Sequence, residues 1–152
     1  KITYNMARLK LDDQKHFELG SLSSARDWGS AVDYVNAMKI MLEVDNPSDF
    51  VISTGELTTV RQVLEIAASS VGFDPIFEGS GEHEVCIDKS SGRILVKVSS
   101  KYYRPFDTAP MLGDSSLIQK QLGWHAQQGV GSMIESMVAA DLYRRKQGMT
   151  DV

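Results

Sequence analysis

The sequence predicts an α/β chain of alternating helices and short strands, on three observations. Between Val32 and Val71 an amphipathic helical run, a compact apolar segment, a short loop and a capped helix follow one another, an order that suits an α/β unit and not a bundle. From Ile76 to Val98 the chain breaks into short apolar segments separated by Gly and Ser turns, as hairpin-linked strands do. With 42% hydrophobic and 24% charged residues, the 152-residue chain has a globular composition, enough for the core of one domain, at most with a small annex.

The elements follow in chain order. Ile2, Met6 and Leu9 recur at helical spacing with no capping residue ahead of them, so the chain is expected to begin in mid-helix with sequence upstream of it. That helix should end near Leu11, where Asp12-Asp13 breaks the apolar pattern. Phe17-Glu18-Leu19 alternates as a short strand and stops at Gly20. Small residues then deliver Arg26-Asp27-Trp28-Gly29, which is expected at the mouth of a helix whose apolar face is Val32, Val35, Met38 and Leu42, widened by Ala31, Tyr34 and Met41. Asn46-Pro47-Ser48 marks a turn, and Phe50-Val51-Ile52-Ser53 reads as a buried strand of the parallel-sheet kind.

Thr59 with Gln62 forms a capping box for a helix from Val60 to Val71, which Gly72 stops. Strands are expected at Ile76 to Glu78, Val85 to Asp88 and Ile94 to Val98, with a hairpin at Ser91-Gly92. Asp114 and Gly123 bound a helix from Ser115 to Leu122. Ser132 and Glu135 open the last helix as a capping box, with Met133, Ile134, Met137, Val138 and Leu142 buried and a fraying tail from Arg144.

Charge and cysteine content narrow the functional classes. A net charge of -4, with Arg144-Arg145-Lys146 as the longest basic run, argues against nucleic acid or a membrane surface as the main partner. No window approaches the length of a spanning helix. Cys86, the single cysteine, is read as a small buried side chain and fits a reducing, cytoplasmic setting; the three histidines are scattered, and no metal site is expected. Two clusters carry chemistry. In the first, Arg26 presents a planar fork of donors suited to phosphate or carboxylate. In the second, Lys101-Tyr102-Tyr103-Arg104-Pro105-Phe106-Asp107, the proline holds Arg104 extended, and the arginine and acid suit a phosphate and a sugar hydroxyl, or simply each other as a surface ion pair.

The ordered series RDWG, AVDYVNAM, DFVISTGELTTVRQVLEIA, YYRP, LGD and LGW resembles the C-terminal part of the GDP-mannose 4,6-dehydratase family, within the extended short-chain dehydrogenase/reductases, from about Lys1 to Asp141. The resemblance implies a fold of mixed helices and short strands plus one strand of the Rossmann sheet, supplied by Phe50 to Ser53. It makes residues 1–152 the nucleotide-sugar-binding part of an enzyme whose N-terminal Rossmann domain, absent here, binds NADP. The family's chemistry oxidises the hexose at C4 by hydride transfer to the cofactor, eliminates water across C5 and C6, and returns the hydride to C6. No Gly-x-x-Gly-x-x-Gly and no Tyr-x-x-x-Lys occurs in this chain, so its expected contribution is the substrate side, with neither catalytic nor cofactor-binding residues.

By the same resemblance Arg26 and Arg104 would bind the diphosphate of a GDP-sugar, Asp107 the ribose hydroxyls, and the backbone at Leu19 and Gly20 would lie against the nucleotide. A homo-oligomer is expected of the full-length protein. The chain departs from the family pattern at Phe106-Asp107-Thr108-Ala109, where Thr-Glu-Val-Asp is usual, and at SLSSA before Arg26, where NLDAK is common. These departures leave room for a GDP-sugar epimerase or reductase of the same family, or for a non-catalytic module derived from it.

Overall fold

The computed structural model describes residues 1–104 and 109–149. Over these the chain is mixed α/β, and it divides into two compact units. The first contains residues 1–24, 59–104 and 134–149; the second contains Ala25–Thr58 and Ala109–Met133.

The first unit is built on a four-stranded sheet. Its strands are β1 (Phe17–Leu19), β4 (Pro75–Glu78), β5 (Val85–Asp88) and β6 (Ile94–Val98), in the order β1-β6-β5-β4. β1 runs parallel to β6, with Phe17 opposite Val96 and Leu19 opposite Val98, whereas β6, β5 and β4 are antiparallel. Helices α1 (Ile2–Lys10), α3 (Val60–Ser70) and most of α5 (Val130–Lys146) belong to this unit. Met6 and Leu9 of α1, Leu64 and Ala67 of α3, Leu95 and Val96 of β6, and Ile134 and Val138 of α5 are all buried. The capping box on α3 is present in full: the Gln62 amide N–H donates to Thr59 Oγ1 at 3.2 Å, and the Thr59 N–H donates to Gln62 Oε1 at 2.8 Å. The β5–β6 hairpin turns on Asp88, whose buried carboxylate accepts from the Asp74 N–H, the Ser90 hydroxyl, and both the N–H and the hydroxyl of Ser91.

The second unit holds a two-stranded ribbon of β2 (Ala25–Asp27) and β3 (Leu57–Thr59), with α2 (Ala31–Leu42) and α4 (Ser116–Leu122). Its small core is Ala37, Ile118 and Trp124, against which Tyr34, Ile40, Met41, Phe50, Ile52 and Leu122 pack. α4 stops at Gly123, which takes a left-handed φ of 66° that a side chain would disfavour.

Four expectations are overturned. The apolar face of α2 is turned outward: Val32, Val35, Met38 and Leu42 are 76%, 62%, 53% and 87% exposed, while Asp33 and Ala37 are buried, because the unit's core is met by the opposite side of the helix. Residues 50–53 form no strand among the described residues; the backbone has no ladder partner, and Phe50 and Ile52 pack on the core while Val51 faces out. α5 begins at Val130, two residues ahead of Ser132, whose hydroxyl donates to the Gly129 carbonyl, and Met137 is exposed. The tail from Arg144 stays helical to Lys146, because Arg145 pairs with Asp13 and stacks over the Tyr4 ring. No helix among the described residues is long and apolar enough to cross a membrane.

Candidate functional site

The RDWG segment spans strand β2 and the link to α2, so Arg26 sits on a strand and not at the mouth of a helix, which begins only at Ala31. Arg26 Nη1 donates to its own neighbour's carbonyl, Ala25 O, at 2.7 Å. The other three residues of the motif are structural. Asp27 Oδ1 accepts from the Thr54 N–H at 3.0 Å and from Thr54 Oγ1 at 2.5 Å, and Oδ2 accepts from the Gly55 N–H at 3.0 Å. Burial pushes the Asp27 carboxyl up, but the hydrogen bonds from Thr54, Gly55 and the Gly113 backbone outweigh it and hold the group below the usual carboxylate range. Trp28 Nε1 donates to the Thr58 carbonyl at 2.9 Å. Gly29 lies so close to the Tyr34 ring that a Cβ there would overlap it.

The neighbouring motifs interlock in the same way. The buried Asp33 carboxylate accepts from the Gln127 and Gln128 amides at 3.0 and 2.9 Å, and Trp124 Nε1 donates to the Asp33 carbonyl at 3.2 Å. Tyr34 meets Trp124 edge-on, with ring centroids 6.4 Å apart. Burial, then the charges of Asp27 and Asp33, push the Tyr34 hydroxyl up and keep it protonated. DYV and LGW are therefore two sides of one joint. Asp27, Asp33, Thr54 and Trp124 are the residues that the sequence reading passed over. The available signal was an acid at a helical position flanked by valine, which has a reason to be there when backbone amides need an acceptor.

In the first unit, Leu19 is buried at the end of β1, and its carbonyl accepts from the Ser99 N–H at 2.9 Å. Gly20 passes directly against the Tyr102 carbonyl, where an added Cβ would come within 2.5 Å of the oxygen. Tyr102 and Tyr103 N–H groups both donate to the Ser99 carbonyl, at 2.9 and 2.8 Å, closing a turn that leads to the exposed Arg104. The structure thus brings Leu19 and Gly20 against the turn that carries Arg104. Asp107 lies outside the described residues, and Arg26 belongs to the second unit.

Cys86 is fully buried, and burial together with Glu65, Glu84 and Asp88 pushes its thiol up to about 12, so it is inert at neutral pH. No cluster of His, Cys, Asp and Glu among the described residues is arranged to hold a metal. A depression of about 90 Å³ in the second unit, lined by Trp28, Thr54, Glu56 and Gln128, is well below the roughly 300 Å³ at which small-molecule pockets begin.

Residues 1–137 match the family model described as GDP-mannose 4,6 dehydratase. The chain belongs to the GDP-mannose 4,6 dehydratase family. It is 42% identical to GDP-mannose 4,6 dehydratase 2 of Caenorhabditis elegans and 41% identical to GDP-mannose 4,6 dehydratase of Cricetulus griseus, in each case over 93% of this chain. It covers 37% and 38% of those two proteins, so it spans well under half the length of the curated relatives that it matches.

Solved structures show the same fold at low identity. RMD from Pseudomonas aeruginosa, complexed with NADPH, superposes with a TM-score of 0.73 at 14% identity, covering 94% of this chain and 41% of that one. dTDP-glucose 4,6-dehydratase from Bacillus anthracis, in complex with NAD, gives 0.66 at 14% identity, covering 98% and 40%.

Proposed function

We propose that this chain is the substrate-binding part of a GDP-mannose 4,6-dehydratase, which as a full-length protein converts GDP-mannose to GDP-4-keto-6-deoxy-mannose with NADP held by its other part. The observation that carries this reading is the family match over residues 1–137. The chain's own contribution is to bind and orient the nucleotide sugar. Arg26 on β2 and Arg104 after the Ser99–Tyr103 turn grip the diphosphate, Asp107 takes the ribose hydroxyls, and the backbone at Leu19 and Gly20 lies along the nucleotide.

A charge-assisted contact to phosphate is worth roughly 1.5 to 3 kcal/mol, so loss of either arginine should weaken binding about tenfold or more. The test is calorimetric binding of GDP-mannose to the full-length protein, wild type beside Arg26→Ala and Arg104→Ala, with a product assay when NADP is supplied. Weakened binding in both variants and product from wild type support the reading. Unchanged binding in both removes the diphosphate assignment, and binding without product moves the protein to an epimerase, a reductase or a non-catalytic module.

A further inference from the structure

We propose that Asp27 is a positioning residue for Arg26, acting by fixing the roll of strand β2 through the Thr54-Gly55 loop; the proposal rests on Arg26 binding the diphosphate. Successive side chains on a strand leave opposite faces, so the direction of Arg26 is set by how the strand is rotated about its axis. A ribbon of two three-residue strands does not resist that rotation by itself. Trp28 Nε1 ties the end of the strand to Thr58 of β3, and the residue beside the arginine ties the strand to a loop outside the ribbon. Both Asp27 oxygens are engaged, Oδ1 by the Thr54 amide and hydroxyl and Oδ2 by the Gly55 amide, and the Gly113 backbone bonds the same carboxylate. Every one of these partners is a donor. A carboxylate, which only accepts, satisfies them together, whereas an amide would turn an NH₂ toward one set. Gly113 in turn packs on Ser53 so closely that a Cβ would overlap its side chain, so Asp27 joins the arginine's strand to two loops that are themselves in contact.

The test is a double-mutant cycle on the full-length protein, with GDP as the probe and calorimetry as the readout, each variant checked by thermal melting. Arg26→Ala is expected to weaken GDP binding. Asp27→Asn is expected to weaken it about fivefold when Arg26 is present and to leave it unchanged in the Arg26→Ala background, since coupled residues are not additive. Thr54→Val, which removes a donor from the other side of the tie, should act like Asp27→Asn, and Thr54→Ser should restore wild-type affinity. An equal loss from Asp27→Asn in both backgrounds, or no loss at all, overturns the positioning role while leaving the diphosphate assignment standing. If Arg26→Ala itself binds GDP normally, that assignment falls and the positioning role with it. Should Asp27→Asn fail to fold, the Thr54→Val and Thr54→Ser pair decides: loss in both, or in neither, overturns the proposal.

Discussion

At Asp88 four donors converge on one buried carboxylate, and the consequence is a pH dependence with a definite sign. The Ser91 hydroxyl, the Asp74 amide and the Ser90 hydroxyl hold the group well below the usual carboxylate range. Its folded pKa therefore lies below its unfolded one, so its stabilisation is complete above the unfolded value, near pH 4, and is lost as pH falls toward the folded value. Asp88→Asn should flatten the acid limb of the stability curve between about pH 4 and pH 2, as read by urea melts at several pH values, and lower stability at pH 7 by about 2 kcal/mol. An acid limb identical to wild type would show that other carboxylates carry the effect. Buried Glu84 is held by a cation: Arg61 donates to it from Nε at 2.9 Å, and removing the arginine leaves a buried carboxylate uncompensated. Because Arg61 remains half-exposed, Arg61→Ala should cost about 2 kcal/mol in denaturant melts, less than the 3 to 5 kcal/mol of a fully buried pair. Residue roles with an obvious local chemistry, such as buried Cys86, were legible in the sequence. The roles of Asp27 and Asp33 were not, since their partners lie 27 and 94 positions away in the chain, at Thr54 and Gln127.

Element boundaries follow local rules, and these were read closely. α1, β1, β4, β5, β6, α3 and α4 all fall within a residue or two of where periodicity, glycine stops and caps place them. The box on α3 gives a direct check: Thr59→Ala should destabilise the chain by about 1 kcal/mol, and Thr59→Ser should recover most of that in the same melts. Which face of a helix is inward is a different kind of information. On α2 apolar residues occupy both sides, so periodicity finds a stripe without saying which stripe is buried. The longer one, from Val32 to Leu42, is exposed, and the inner side includes Asp33, whose polarity hides its burial until the amides of Gln127 and Gln128 are seen to need it. Residues 50–53 fail for a related reason. A compact apolar run between turn signals suits a buried strand, but a strand also needs a neighbour, and no hydrophobic pattern specifies one.

Across the whole molecule, the second unit combines an exposed apolar stripe on α2 with a segment at 50–53 that has no ladder partner among the described residues. Soluble proteins seldom leave such a face open, and the matched relatives are more than twice as long as this chain. The expectation is that the remaining part of a full-length dehydratase covers the stripe. The two contexts then respond oppositely to the same substitution. In the isolated chain, Val35→Lys with Met38→Lys should raise solubility and reduce binding of a hydrophobic dye while leaving the melting temperature within error, since both side chains already face water. In the full-length protein the same pair places two cations in an apolar contact, which costs several kcal/mol unless they are solvated, and the melting temperature should fall by about 5 °C or more. Equal tolerance in both would mean that the stripe faces water in the whole protein too. The dehydratase reading would then need a different account of why a helix carries its larger apolar face outward.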